Sequence, residues 1–295
     1  MFTINPKEIS TAKLHAYMLS SIAPRPIAFA STVDKDGNPN LSPFSFFNAF
    51  GSHPPTLVFS PARRVRDNTV KNTLENVLEV PEVVINVVNY AMVQQASLAS
   101  VEFPKGVNEF VKAGFTPLAS ERIRPFRVAE SPVQFECKVV EVKPMGMEGG
   151  AANLIICEIL LMHINENVLD EQQRIDQHKI DLVARLGADW YVRASGEALF
   201  EVPKPNLKPA IGIDQLPDHI RNSRVLTGNE LGMLGNTEHF PTREELAAAD
   251  IGQDLEDLKQ RFSNDAESLE YHKHLLAKEL LEAHQLMKAW KVLLS

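Results

Sequence analysis

The stretch APRPIAFAST, residues 23–32, is the most informative segment of the sequence. Its two prolines hold the chain around Arg25 in an extended form, because a proline fixes its own φ and keeps the residue before it out of the helical region. Residues 27–33 then have the composition of a strand. Near its end this strand carries the hydroxyl groups of Ser31 and Thr32. The stretch therefore predicts a rigidly presented cation, followed by a strand that ends in hydrogen-bonding groups of short reach.

A second stretch, SPFSFFNAF at residues 42–50, is dense in phenylalanine. We interpret it as a loop in which the Phe rings, Phe46 and Phe47 among them, pack against something flat or apolar. Ser45 and Asn48 can offer hydrogen bonds at the edge of a planar molecule. The alternative is that the Phe side chains only fill the core. Composition alone leaves both interpretations open.

A third stretch, RRVRDNT at residues 63–69, concentrates positive charge in an acidic chain. The apolar spacing that follows predicts a helix over residues 68–78, with Asp67 or Asn68 as its N-cap. A helix N-terminus offers free N–H groups and a partial positive charge, so Arg66 and Thr69 beside it would complete a phosphate site. The alternative is a solvated basic loop.

Composition excludes several classes of protein. The chain has 295 residues, 30 Lys+Arg and 38 Asp+Glu, so its formal charge of −8 argues against a general nucleic-acid surface. No apolar run approaches the roughly 20 residues that cross a bilayer, and the N-terminus lacks the pattern of a secretory signal. We therefore expect a cytoplasmic protein that is not embedded in a membrane. Cys137 and Cys157 form no Cys-x-x-Cys pair, which predicts neither a disulfide framework nor a metal site.

The chain divides by composition into a domain over residues 1–202 and a linker with a helical extension over residues 203–295. Alternation and turn residues in the first part predict a mixed α+β domain with strands at 27–33, 40–42, 56–60, 83–88, 133–139 and 154–164, and an opening helix at 10–19. The stretch VPKPNLKP, residues 202–209, is typical of a semi-rigid linker. A capping box at Thr242 and Glu245 predicts one helix of the extension, and a second helix is expected from Asn264 onward.

Taken together and in this order, the three stretches resemble the flavin reductase-like FMN-binding split barrels, the family that includes flavoredoxin. The resemblance rests on PRPIA at 24–28 with the following Ser-Thr, on NLSPFSFFN at 40–48, on DNT at 67–69 with Asn72, and on VARLGADWY at 183–191. It covers residues 16–205. The family usually has a Lys-Asp-Thr-like step where this chain reads RDNT, so the register of the phosphate contacts differs by up to one residue.

The resemblance implies a mostly β fold with helices: a six-stranded Greek-key barrel that binds FMN across its dimer-facing side, followed by the helical appendage. Ser31 and Thr32 are expected at the ribityl-phosphate end of FMN, and residues 45–48 at the isoalloxazine edge. Residues 66–69 are expected to hold the phosphate, while Arg25 and Arg185 either contact flavin or brace the barrel. The expected cofactor-binding residues are Arg25, Ser31, Thr32, Ser45, Phe46, Phe47, Asn48, Arg66, Asp67, Asn68, Thr69 and Arg185.

The family also implies a reaction, the reduction of flavin by NADH or NADPH. Hydride would pass from the nicotinamide to the flavin, so the protein has to supply stacking geometry and hydrogen bonds, and no catalytic residue is predicted. His53 is the histidine nearest to the Phe-rich stretch and the one candidate for a role at the nicotinamide; otherwise it belongs to the turn before Pro54. Two alternatives remain: an electron carrier whose bound FMN exchanges electrons with an acceptor protein, and a non-catalytic binding protein whose flavin site has decayed.

We predict an obligate homodimer. Residues 154–164 are apolar on both faces, and a barrel has only one interior in which to bury them, so the outward face needs a partner. Light scattering at micromolar concentration should give about twice the chain mass of 32.9 kDa. A mass near that of one chain would contradict the prediction.

Overall fold

A computed structural model describes residues 1–205 and 208–295 of the chain. The chain forms two compact units, Met1–Phe200 and Glu201–Ser295. The division lies close to the boundary expected at residue 202. The expected linker at 202–209 includes residues 206 and 207, which lie outside the described residues.

The first unit is built on antiparallel strands. They are β1 Ala28–Val33, β2 Pro39–Phe44, β3 Phe47–Ser52, β4 Pro55–Phe59, β5 Glu82–Val87, β6 Pro117–Leu118, β7 Arg127–Val128, β8 Val133–Pro144, β9 Asn153–Ile164, β10 Val183–Arg185 and β11 Tyr191–Arg193. Seven of them form one sheet in the order β2-β1-β5-β8-β9-β4-β3, and β6–β7 and β10–β11 form two small hairpins. All pairings within the large sheet are antiparallel.

The connection between β2 and β3 forces the large sheet to curl. These two strands are its opposite edges, and in a flat sheet six steps of about 4.8 Å would separate them by about 29 Å. Only Ser45 and Phe46 connect them, and a two-residue link spans at most about 11 Å between the flanking Cα atoms. The sheet therefore closes toward a barrel. The stretch 42–50 is accordingly the end of one strand and the start of another, which corrects its interpretation as a loop and the expected count of six strands.

Two apolar cores lie on the two faces of β1, whose six residues are all buried. Inside the barrel, Ala28 and Ala30 pack with the helix at residues 72–79 and with inward residues of the other strands, including Phe59 and Ile155. On the outer face, Phe29 packs against the helices at residues 93–98 and 109–113. β1 is therefore enclosed on both sides.

β9 is covered on one face only. Its inward residues Ile155 and Cys157 are fully buried, whereas Leu160 and Met162 keep 44% and 42% of their surface exposed. The expected strand with two apolar faces is present, and its outer face is uncovered in the single chain.

The helices of the first unit are α1 Thr11–Ser21, α2 Asn72–Glu79, α3 Val93–Leu98, α4 Glu109–Ala113 and α5 Gln177–Ile180. The helix expected near residues 10–19 is confirmed as α1, with Ser10 as its N-cap. The start expected for α2 is wrong. Asn68 has a φ of +57°, and Asp67 Oδ1 accepts hydrogen bonds from the N–H (3.1 Å) and hydroxyl (2.6 Å) of Thr69. These residues form a turn, and α2 begins four residues later, at Asn72.

The second unit is helical, as expected: α6 Asp218–Arg221, α7 Gly228–Gly235, α8 Arg243–Ala248, α9 Asp254–Arg261, α10 Ala266–Glu282 and α11 Leu286–Leu293. The capping box at Thr242 and Glu245 is confirmed. The helix expected from Asn264 onward is two helices, because the chain turns at His284, whose φ is +57°. Trp290 is fully buried in the centre of this unit. Within the described ranges, no helix combines the length and apolarity that a membrane crossing requires.

Candidate functional site

A cleft of about 910 Å³ lies in the first unit, beside the link between β2 and β3. Ser45 and Phe46 of the link form part of its wall. Other parts come from α1, from α3, from the β10–β11 hairpin, and from the segment between β4 and α2. The residues contributed by these elements include His15, Leu19, Ser60, Ala62, Lys71, Ala96, Ser97, Val183, Arg185, Tyr191 and Arg193. Tyr90, which lies between β5 and α3, also lines the cleft.

Arg25 fixes the link from behind the cleft. Its guanidinium is buried and donates to the carbonyl oxygens of Leu19, Ile22 (2.7 Å) and Leu186 (2.7 Å), and Nε lies 3.5 Å from Ser45 Oγ. Burial, followed by the charge of Arg185, lowers its pKa from the ordinary arginine value. These contacts tie the C-terminal end of α1, the link and the segment after β10 together. Arg25 thus braces the barrel, one of the two roles expected for it.

Close approach of α1 to the segment after β10 depends on Gly187. A Cβ at this position would lie 3.0 Å from Ser20 Cα and closer still to its hydroxyl oxygen. Any larger residue would push α1, and with it His15 and Leu19, away from the cleft. The glycine in the RLG part of the sequence therefore has a packing function.

One wall of the cleft alternates arginine and tyrosine. The guanidinium of Arg185 lies 4.7 Å from the ring centroid of Tyr191, and that of Arg193 lies 3.8 Å from the ring of Tyr90. Asp181 holds Arg193 through two hydrogen bonds of 2.7 and 2.8 Å. Among the described residues, no carboxylate forms an ion pair with Arg185. This wall offers flat aromatic surface together with one positive charge that has no acidic partner.

Lys71 connects the cleft to a small basic notch. The notch measures about 20 Å³ and is lined by Arg64, Lys71, Thr73 and two carboxylates, Glu102 and the buried Glu109, among others. Glu102 forms ion pairs with Arg64 (2.7 Å), Arg66 (3.0 Å) and Lys71 (3.8 Å). Burial, followed by the charge of Arg64, lowers the pKa of Lys71. Three cations therefore share one carboxylate at this end of the cleft.

The N-terminus of α2 lies at the same notch. Lys71 occupies the N-cap position, and no side chain caps the first turn. An uncapped first turn leaves backbone N–H groups free and carries a partial positive charge. Helix N-terminus and basic side chains thus do meet, as the sequence predicts, but at residues 71–73 and Arg64 rather than at residues 66–69.

The expected residues 66–69 lie outside the cleft lining. The side chain of Arg66 is 73% exposed. Hydrogen bonds from Thr69, reinforced by Arg66, lower the pKa of Asp67 to about 2. Asn68 accepts from Arg63 Nε (2.7 Å) and donates to the carbonyl of Met147 (2.9 Å). These residues shape the turn that carries Arg64. None of them lines the cleft, and the phosphate contact expected for them stays a prediction.

Ser31 and Thr32 are also outside the cleft. Both side chains have no accessible surface. Ser31 Oγ has no hydrogen-bond partner among the described residues, whereas Thr32 Oγ1 accepts from the side-chain amides of Asn40 (3.4 Å) and Asn76 (3.1 Å). A fully enclosed hydroxyl cannot touch a bound molecule unless the barrel opens. The contact expected from the family resemblance is corrected for both residues.

The stretch 45–48 is divided between cleft and barrel. Ser45 and Phe46 line the cleft, as does Arg185 among the other expected residues. Phe47 packs against the barrel core, and Asn48 accepts a hydrogen bond from the N–H of Ala49 on the exposed strand β3. Phe47 therefore fills the core, whereas Phe46 is available at the cleft wall, where its packing against a flat molecule stays a prediction.

Several cleft residues could not be found from the sequence motifs. His53 is exposed and does not line the cleft, whereas His15 does, with its ring 6.1 Å from that of Phe46. Tyr90 and Arg193 likewise come from separate elements. Tyr191, by contrast, lies at the end of the stretch VARLGADWY.

Comparison with known proteins agrees with this architecture. Residues 19–180, more than half of the chain, match the family model described as the flavin reductase like domain. The chain belongs to the flavin reductase-like family. A protein of Aquifex aeolicus is 38% identical over 196 residues, covering 66% of this chain and 97% of that protein. About a third of this chain therefore has no counterpart in that relative.

Solved structures of this family share the fold. Component B of nitrilotriacetate monooxygenase from Bacillus cereus is 29% identical with a TM-score of 0.64, covering 68% of this chain and 98% of that chain. A Shewanella frigidimarina protein described as a flavin reductase with a split barrel domain is 25% identical with a TM-score of 0.58, covering 69% and 100%. The family and the fold class predicted from the sequence, a split barrel followed by helices, are confirmed.

The burial of Ser31 and Thr32 leads to a paired prediction. Ser31→Ala should leave FMN affinity unchanged and should not lower the free energy of unfolding, because it removes a buried hydroxyl that has no partner. Thr32→Val should lower that free energy by about 1–3 kcal/mol, because the buried amide of Asn76 loses its acceptor, whereas that of Asn40 keeps Thr73 Oγ1 at 2.9 Å. Denaturant unfolding and flavin titration measure both. A loss of FMN affinity in a stable Ser31→Ala protein would mean that this hydroxyl contacts the cofactor.

Proposed function

We propose that this chain is an FMN-binding flavin reductase that uses NADH or NADPH as hydride donor. The observation that carries the proposal is the junction at Lys71, where an aromatic-walled cleft meets a basic notch and a free helix N-terminus. FMN has the matching parts, a flat ring system joined to a phosphate. Membership of the flavin reductase-like family supports the same conclusion.

The cleft fits a flavin in size and chemistry. Sites for small organic ligands commonly measure about 300–1,000 Å³, and this one is near the upper limit. The rings of Phe46, Tyr90 and Tyr191 give it flat apolar surface, and the hydroxyls of Ser45 and Ser60 can bond polar groups at a ring edge. The volume leaves room for a second aromatic molecule beside a flavin, as a nicotinamide donor requires.

The phosphate of FMN is assigned to Arg64, Lys71 and the first turn of α2. Guanidinium, ammonium and backbone N–H groups form strong, charge-assisted hydrogen bonds with phosphate. Arg64 is held in place by hydrogen bonds from Nη1 to Thr69 Oγ1 (2.8 Å) and to the carbonyl of Val70 (2.5 Å). The turn at residues 66–69 therefore contributes indirectly, by fixing Arg64.

The protein's part in the reaction is positioning. Bound FMN supplies the hydride-accepting chemistry. Arg25 holds Ser45 and Phe46 of the link in place, and the hairpin wall provides the surface on which planar groups stack. We assign no general acid or base, because direct hydride transfer needs only correct approach and orientation of the two ring systems. Arg185, which lacks an acidic partner among the described residues, is available to either ligand.

We also propose a homodimer and an acceptor protein for the reduced flavin. Two observations support the dimer. No residue of α1 is buried, and the outer face of β9 is also exposed in the single chain. Supporting the acceptor, the Bacillus cereus structure is one component of a monooxygenase. The electron-carrier function is the second candidate, and it would use the same cleft without a nicotinamide donor.

Anaerobic reduction tests the function. The purified protein is loaded with FMN, and NADH or NADPH is added while absorption at the flavin maximum is recorded. The proposal expects rapid bleaching by at least one donor. Bound FMN that neither donor bleaches would contradict the reductase and favour the electron carrier. A protein that binds no FMN would contradict both and leave the non-catalytic alternative.

Substitution of Lys71 tests the phosphate assignment. Lys71→Gln should weaken FMN binding by about ten- to a hundredfold, because a charge-assisted hydrogen bond contributes roughly 1.5–3 kcal/mol. Riboflavin, which has no phosphate, should bind as before. Arg66→Ala should have a smaller effect, because its side chain is mostly exposed. Lys105→Gln is the matched control, since Lys105 pairs with Glu75 at the surface. Equal losses for FMN and riboflavin in Lys71→Gln would show that Lys71 acts on the fold and not on phosphate.

A further inference from the structure

We propose that Glu102 is an internal counterion that the flavin phosphate has to displace, and that it thereby determines how tightly this protein holds FMN. The inference rests on the proposed phosphate position at Arg64 and Lys71. To this position the inference adds Glu102, whose negative charge weakens phosphate binding, whereas the cations strengthen it. Glu102 lies outside every motif that carries the family resemblance.

The geometry shows Glu102 at the centre of the basic cluster. Oε1 lies 2.7 Å from Arg64 Nε and 3.8 Å from Lys71 Nζ, and Oε2 lies 3.0 Å from Arg66 Nη2. Hydrogen bonds from Arg64 and then Arg66 hold the pKa of Glu102 below its usual range, so the carboxylate is charged at neutral pH. It occupies the donors that a phosphate oxygen would use.

The size of the notch makes the competition steric as well as electrostatic. With Glu102 in place the notch measures about 20 Å³. A cavity needs roughly 10–15 Å³ to hold one water molecule, so this notch accommodates about one water and not a phosphate group. A phosphate oxygen that bonds to Arg64 Nε has to take the place of the carboxylate there.

The surroundings allow Glu102 to leave without disturbing Arg64. The side chain of Glu102 is 42% exposed, and it lies between α3 and α4 in a segment whose backbone bonds are local, such as Phe103 N–H to the Val101 carbonyl (2.9 Å). Arg64 keeps its bonds to Thr69 and to the Val70 carbonyl. Arg64 therefore stays positioned when the carboxylate is replaced.

The consequence concerns flavin exchange. Without phosphate, Glu102 neutralises part of the cluster, and with phosphate the two anions would repel each other at short range. The free energy of FMN binding is therefore less favourable by the cost of displacing Glu102. Such an arrangement suits a protein that releases its flavin after reduction, and it is unfavourable for one that retains flavin permanently.

Glu102→Gln is the decisive variant. It keeps the shape of the side chain and removes the charge, so FMN should bind about three- to fivefold more tightly, the upper part of the range expected for a partly exposed ion pair. FMN should also dissociate more slowly in stopped-flow displacement, and inorganic phosphate should compete more strongly with FMN. Riboflavin affinity should not change. Glu256→Gln is the matched control, because it removes the same charge from a surface pair with Lys259 on α9 and should change FMN affinity by less than about twofold.

The direction of the change in FMN affinity distinguishes between the roles that Glu102 could have. Unchanged FMN affinity in Glu102→Gln would show that phosphate binds without displacing the carboxylate. Weaker binding would show that Glu102 orients Arg64 and Lys71 for phosphate. Either result overturns the inference while the reductase activity stands. If the unaltered protein binds FMN no better than riboflavin, the phosphate position itself is wrong, and the inference falls with it.

Discussion

The two-residue link between β2 and β3 is the constraint on which the rest of the first unit depends. Because Ser45 and Phe46 join opposite edges of a seven-stranded sheet, the sheet has to curl, and the link becomes part of the cleft wall. Arg25, enclosed by backbone carbonyls, holds this link against α1 and the segment after β10. Closure of the barrel and the shape of the cleft thus have one cause.

Much of the strand framework could be predicted from the sequence, because alternation and turn residues report local periodicity. Alternation does not report which face of a strand is accessible. β1 is enclosed by a core on each side, so nothing in its pattern reveals that Ser31 and Thr32 are sealed off from the cleft. β3 could not be predicted from the sequence, because its residues are mostly exposed and lack an apolar alternation.

The start of α2 was predicted four residues too early, and the error has a chemical origin. Asp and Asn cap helices and also stabilise turns, with the same side-chain oxygens. At Asp67 and Asn68 the turn is the observed outcome, and the helix start with its free N–H groups moves to Asn72. His15, Tyr90 and Arg193 reach the cleft from separate elements, and only the tertiary fold brings them together.

The first helix has a thermodynamic consequence for the cleft. α1 is 11 residues long and buries none of them, and isolated helices of this length are only marginally ordered in water. Its order within the unit depends on its C-terminal end, where Arg25 binds the Leu19 and Ile22 carbonyls. The turn that carries His15 is thus a region of low local stability, where backbone amides should exchange hydrogen early. A molecule that binds over α1 also stabilises the cleft wall that α1 forms. Binding at this surface and ligand binding in the cleft are therefore thermodynamically linked.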